Sequence, residues 1–140
     1  VTLTCTRRLE FDYGHRLLTH EGKCAHVHGH RGVVEVECSA PELDTVGRVI
    51  DFAEVKRLVG GWLDERWDHA FIVGEADRDM RDFLELHEQR HFVLPVVEPT
   101  AEHLAHYVGR MAETLLAPRG ITVVRLRLYE TPNGWAEWQP

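Results

Sequence analysis

The sequence predicts an α+β protein, an antiparallel sheet with helices on one face, in the order β-β-α-(α)-α-β-β. Three observations predict it. The segment Gly32-Val33-Val34-Glu35-Val36-Glu37-Cys38 alternates apolar and charged residues, as a strand with one wet face does. Two stretches in the middle of the chain carry apolar residues at helical spacing behind capping residues. The last twenty residues read as a hairpin.

In chain order, Leu3 to Phe11 mixes β-forming and polar residues and is expected to be a strand. A His- and Gly-containing loop follows from about His15 to Cys24. Beyond the Gly32–Cys38 strand, Asp51 is placed to cap a helix, with Glu54 three residues on to complete a capping box. Apolar positions 52, 55, 58, 59, 62 and 63 then follow a helical period. Residues from about 76 to 91 suggest an additional, charged helix. Pro99-Thr100-Ala101-Glu102 opens a second amphipathic helix through Leu104, Val108, Met111 and Leu115. Ile121 to Glu130 alternates again, and Asn133-Gly134 is a two-residue turn signal before Trp135 to Trp138.

Length and composition fit one domain spanning residues 1–140, with 44% hydrophobic and 28% charged residues. A formal net charge of −7 argues against a nucleic-acid-binding role, which needs a basic face. The three cysteines, Cys5, Cys24 and Cys38, cannot all pair within the chain, and neither a secretory leader nor a membrane-spanning apolar run is recognised. A reduced, cytoplasmic protein is expected.

Ten histidines are the unusual count, and the strongest local signal is Cys24-Ala25-His26-Val27-His28-Gly29-His30, which holds three of them. On extended backbone, residues two apart share a face, so His28 and His30 present two imidazoles side by side. His15, at the end of the preceding strand, supplies a third. Three neutral nitrogen ligands with an open position make a catalytic zinc site; the competing reading is a set of surface histidines in a polar loop. His87-Glu88-Gln89-Arg90-His91 also matches the His-Glu-x-x-His pattern of zinc proteases. It is more simply a solvated, charged helix.

Taken together, Phe11-x-x-x-His15, Cys24-x-x-x-His28-Gly29-His30, Ile50-Asp51-Phe52, Asp68-His69, Pro99-Thr100-Ala101-Glu102 and Glu130-Thr131 resemble the 6-pyruvoyltetrahydropterin synthase/6-carboxytetrahydropterin synthase family. The resemblance implies the T-fold: a four-stranded antiparallel sheet with two main helices on one face, assembled into rings. It implies a homo-oligomer, a hexamer built as a dimer of trimers, with active sites at subunit interfaces. It implies zinc on His15, His28 and His30, a catalytic Cys24, and a catalytic pair Asp68-His69. Glu130 would anchor the pterin, with Thr100 and Glu102 near its ring.

Each residue also has a plainer reading. Cys24 is open to a role as fourth ligand of a closed structural zinc, Thr100 and Glu102 to ordinary helix-start chemistry, and Glu130 to a solvent-facing position in its strand. Arg16 and Lys23 are candidates for offsetting a triphosphate. Tyr13 stands where relatives carry a small residue, and residues 74–95 form a longer segment than in compact members. The Cys24-x-x-x-His28 spacing resembles the bacterial enzymes of the queuosine (7-deazaguanine) pathway. They convert 7,8-dihydroneopterin triphosphate to 6-carboxy-5,6,7,8-tetrahydropterin, releasing triphosphate and acetaldehyde. The alternatives are the pyruvoyl-forming reaction and a zinc- or pterin-binding homologue without turnover.

Overall fold

The computed structural model describes residues 1–140 and contains one sheet of six strands in the order β4-β3-β1-β2-β5-β6. The strands are β1 (Cys5–His15), β2 (His28–Ser39), β3 (Ala70–Gly74), β4 (His91–Leu94), β5 (Thr122–Thr131) and β6 (Gly134–Trp138). β1, β2, β5 and β6 form the expected antiparallel quartet. β3 and β4 extend it by parallel pairing beyond β1, a departure from the four-stranded expectation. Both are short apolar runs, Ala70-Phe71-Ile72-Val73 and His91-Phe92-Val93-Leu94, which carry too few residues for a period to be read.

The first helical region runs over residues 52–66 as α1 (Phe52–Val55), a π-helical turn (Lys56–Gly60) and α2 (Gly61–Arg66). Asp51 caps it by accepting the Ala53 amide at 2.9 Å. The reciprocal half of the capping box does not form, because Glu54 pairs with Arg57 and Arg119 instead. The extra turn of π geometry advances the helix face, so Phe52 is left half-exposed while Val55, Val59 and Leu63 are buried. The charged helix expected over 76–91 is α3 (Arg78–Leu86). It begins at Asp77, which accepts the Met80 amide. α4 (Ala101–Leu116) is capped by the Thr100 hydroxyl, which accepts the His103 amide at 3.3 Å.

Cross-strand partners in an antiparallel pair share a face. The pairings Leu9↔Val34, Phe11↔Gly32, Tyr13↔His30 and His15↔His28 therefore define one face, which Val34↔Leu128 extends across β5. Leu9, Phe11, Val34, Val36, Leu126 and Leu128 bury it against Leu104, Val108, Ala112 and Leu116 of α4 and Val55, Val59 and Leu63. Moving along this face toward the C-terminal end of β1, side chains change from aliphatic to aromatic to imidazole. The histidines thus occupy the end of the hydrophobic core, held by the same register that builds it. At the far end of β5, the hairpin closes one residue earlier than expected. Thr131 pairs with Gly134, so Pro132 and Asn133 form the turn.

Candidate functional site

His15 is the last residue of β1 and is 1% exposed; His28 and His30 start β2 opposite it. Their ligand atoms all lie within 4.8 Å of one another. The three ring centroids are 4.6–5.1 Å apart, and the rings meet edge-on. Nδ1 of His15 is 2.9 Å from the Pro99 carbonyl and Nδ1 of His28 is 2.6 Å from the His26 carbonyl. A carbonyl only accepts, so each of these nitrogens carries the proton and each Nε2 keeps its lone pair. This is the outer-shell bonding that orients metal-ligating imidazoles.

Electrostatics disfavour charge on two of the three imidazoles, His15 and His30. Burial, reinforced by the neighbouring imidazoles against the Pro99 bond, lowers the His15 pKa to about 4. Burial also lowers that of His30, against the pull of Glu130. Nε2 of His28 and Nε2 of His30 are buried and have no hydrogen-bond partner. Buried polar atoms are nearly always satisfied, so two unpartnered ring nitrogens beside a third imidazole fit a cation that binds nitrogen. The donor set suits zinc.

Cys24 lies in a single 3₁₀ turn, Lys23–Ala25, whose loop is closed by the Leu17 amide on the Cys24 carbonyl at 2.8 Å. Its sulfur is not among the atoms that gather with the three imidazoles, so the closed four-ligand site is not assembled in this chain. Glu130, last but one in β5, projects from the same face as Leu128 and brings Oε1 within 3.6 Å of His15 Nε2.

The Asp68-His69 pair sits in the turn between α2 and β3. His69 has a φ of 57°, a left-handed conformation uncommon outside glycine. Two backbone bonds to β1 hold it: His69 donates its amide to the Asp12 carbonyl at 2.7 Å, and Asp12 donates its amide to Asp68 Oδ1 at 2.8 Å. Asp68 Oδ2 is 2.9 Å from His69 Nδ1. Burial would raise the Asp68 carboxyl, but the Asp12 amide and His69 outweigh it and hold the group below the usual carboxylate range. The His69 ring is exposed and shares a cleft of about 930 Å³ with His28, Gly29, His30 and Tyr13.

Other sequence candidates fall elsewhere. Thr100 spends its hydroxyl on the helix cap, and Glu102 is exposed in the first turn of α4. The start of α4 serves the cluster through Pro99, whose carbonyl holds His15. Arg16 is engaged by Asp77 through two bonds of 2.6 Å. The His87–His91 pattern does not lie on one helix: His87 terminates α3, Glu88 has a φ of 52°, and His91 starts β4. Two imidazoles one helical turn apart are therefore not formed there.

Sequence reasoning missed Arg90. It donates to the Asp68, Asp64 and Glu65 carbonyls at 2.7–2.9 Å, tying the end of α2 to the His69 turn. No local pattern announces a bond across 22 residues of chain.

Residues 4–140 match the family model described as 6-pyruvoyl tetrahydropterin synthase. The chain belongs to that family. Among its relatives, the 6-carboxy-5,6,7,8-tetrahydropterin synthase of Rickettsia bellii is 38% identical over 136 residues, covering 96% of this chain and 99% of the relative. The Rickettsia conorii protein of the same name is 39% identical with the same coverage. A crystal structure of an uncharacterised Wolinella succinogenes protein superposes with a TM-score of 0.81 at 25% identity, covering 99% of this chain and 98% of that one. The Caenorhabditis elegans 6-pyruvoyl tetrahydropterin synthase superposes at 0.71 and 23% identity, covering 100% and 96%. The fold is the T-fold of this pterin synthase family.

Proposed function

We propose that the chain is a zinc-dependent 6-carboxytetrahydropterin synthase. It converts 7,8-dihydroneopterin triphosphate to 6-carboxy-5,6,7,8-tetrahydropterin with release of triphosphate and acetaldehyde, as in the queuosine pathway. The observation that carries this reading is the gathering of three imidazoles, two of them with unpartnered buried Nε2 atoms, beside the Glu130 carboxylate 3.6 Å from His15. The names of the Rickettsia relatives favour the carboxy product.

His15, His28 and His30 would hold the zinc, which when bound supplies a Lewis acid for the side-chain oxygens and makes the adjoining C–H acidic. Glu130 accepts hydrogen bonds from the pterin amino group and ring N–H, a pairing that rejects rings lacking those donors. His69 turns Nδ1 to Asp68, which leaves Nε2 as the atom that exchanges a proton with substrate. Cys24 is the second proton-transfer group. Thr100 and Glu102 contribute to the pterin end through the start of α4. The active form is a homo-oligomer, a hexamer as a dimer of trimers.

The test is incubation of the zinc-loaded protein with 7,8-dihydroneopterin triphosphate, with products identified by mass spectrometry. A 6-carboxy-tetrahydropterin with acetaldehyde is the expected outcome. A pyruvoyl product would move the chain to the sister reaction, and no turnover by folded, zinc-loaded protein would overturn the assignment.

A further inference from the structure

The peptide between Asp68 and His69 is held at both ends. Its N–H donates to the Asp12 carbonyl at 2.7 Å, and its C=O accepts from Nε of Arg90 at 2.9 Å. Turning that peptide plane would release His69 from its φ of 57°. A residue other than glycine persists in the left-handed region where its surroundings over-determine it. β1 supplies one clamp and Arg90 supplies the other.

The end of α2 gives Arg90 its footing. A helix leaves its last carbonyls without intrahelical partners. Here the Asp68 amide returns to the Leu63 carbonyl and the His69 amide leaves for β1, so the Asp64 and Glu65 carbonyls are open. Nη2 of Arg90 takes both, at 2.9 and 2.7 Å. The main chain of the same residue grips the far side of the turn, where the Arg90 carbonyl accepts the Phe71 amide at 3.1 Å. Arg90 therefore holds the chain on either side of His69, at residue 68 by its side chain and at residue 71 by its backbone. A planar guanidinium presents several donors in a fixed fork, which a lysine ammonium does not reproduce. Arg90 lines the same cleft as His69, His28 and His30, yet its Nε and Nη2 are spent on backbone carbonyls.

We propose that Arg90 is a positioning residue for the reaction: by clamping the Asp68–His69 peptide to the end of α2, it holds the His69 imidazole at the angle from which Nε2 meets substrate. This rests on the reading of His69 as a proton-transfer group given above. Arg90 acts through the main chain and does not touch the substrate. Its loss is therefore felt in kcat, not in affinity for substrate or zinc.

The test uses Arg90→Ala and Arg90→Lys, each alone and combined with His69→Ala. The zinc-loaded proteins are analysed for metal and assayed with 7,8-dihydroneopterin triphosphate, with product followed by mass spectrometry so that low residual turnover stays measurable. Arg90→Ala is expected to lower kcat about 10- to 100-fold, the scale of a small misplacement of a reacting group. KM and zinc content should stay within twofold of wild type. Arg90→Lys keeps the cation without the fork and should fall less far; it carries the test if the alanine variant does not fold. In the His69→Ala background neither Arg90 change should cost more than twofold, because the group it positions is already gone.

A kcat within twofold of wild type in Arg90→Ala overturns the proposal, as does a wild-type kcat in Arg90→Lys where only that variant folds. So does an equal fall with and without His69, which would make Arg90 a general support of the fold. A raised KM with kcat unchanged would make it a substrate contact and overturns the proposal too. Normal turnover by His69→Ala, or none by wild type, would instead overturn the reading of the site, and the proposal with it.

Discussion

Asp68 Oδ2 stands 2.9 Å from Nδ1 of His69, while Oδ1 of the same carboxylate accepts the Asp12 amide. One side chain thus anchors the turn to β1 and fixes the tautomer of the imidazole beside it. The two jobs separate in Asp68→Asn, because the amide oxygen can still accept from Asp12 while the charge toward His69 is lost. Turnover is expected to fall by roughly two to four orders of magnitude, the scale of general acid-base loss and of mis-set tautomers. Zinc content and the thermal midpoint should change little. Steady-state kinetics with metal analysis on the same sample checks this, and a near-normal kcat would remove the pair from the mechanism.

Metal binding should follow the β1–β2 register and ignore the second histidine pattern. Separate His15→Ala, His28→Ala and His30→Ala proteins are expected to lose most of their zinc after brief chelation. His87→Ala and His91→Ala should match wild type, since those residues sit in different elements. Cys24→Ala should keep zinc and lose turnover, because its sulfur stands apart from the imidazole group. Retention of zinc by all three of the β1–β2 variants would sink the assignment.

The contrast between the two histidine patterns also explains what was legible in the sequence. His28-Gly29-His30 was readable because a strand's period of two fixes which residues share a face, wherever the strand lies. His87–His91 misleads because its meaning depends on one unbroken helix, and Glu88 breaks it. The strand pairs, both amphipathic helices and the Asp51 cap were readable from local pattern. β3 and β4 were not, because short apolar runs carry no period and their parallel pairing depends on distant chain. The Pro99, Asp12 and Arg90 contacts are backbone-mediated across 84, 56 and 22 residues, and composition leaves no trace of them.

Arg16 and Asp77 give a stability prediction with a definite pH sign. Asp77 is buried, Arg16 keeps about a quarter of its side chain in solvent, and two bonds of 2.6 Å join them. The Arg16 bonds, aided by the Met80 amide, hold the Asp77 carboxyl below its ordinary value. A depressed folded pKa contributes stability that is present above the unfolded value of about 4 and is lost as pH falls through the folded one. Asp77→Asn should therefore cost about 2–3 kcal/mol at pH 7, somewhat less than breaking a fully buried pair. The gap from wild type should narrow below about pH 4. Urea unfolding at several pH values measures it, and a pH-independent gap would show that the charge contributes nothing.

Gly109 offers a test of how α4 is seated on the sheet. A Cβ built there runs into the Trp138 indole, so the glycine lets the helix approach the end of β6. On an isolated helix, Gly→Ala stabilises by about 1 kcal/mol. Overpacking of a tight contact costs about 1–3 kcal/mol, and here the obstacle is a rigid bicyclic ring rather than the tip of a flexible chain. Gly109→Ala is expected to destabilise the protein by up to about 2 kcal/mol net. Pairing it with Trp138→Ala removes the obstacle, so the second Gly109→Ala measurement should reverse sign and show the helix-propensity gain alone. A double-mutant cycle from urea denaturation reads this directly. Additivity of the two changes would mean that α4 and β6 do not constrain each other through this contact.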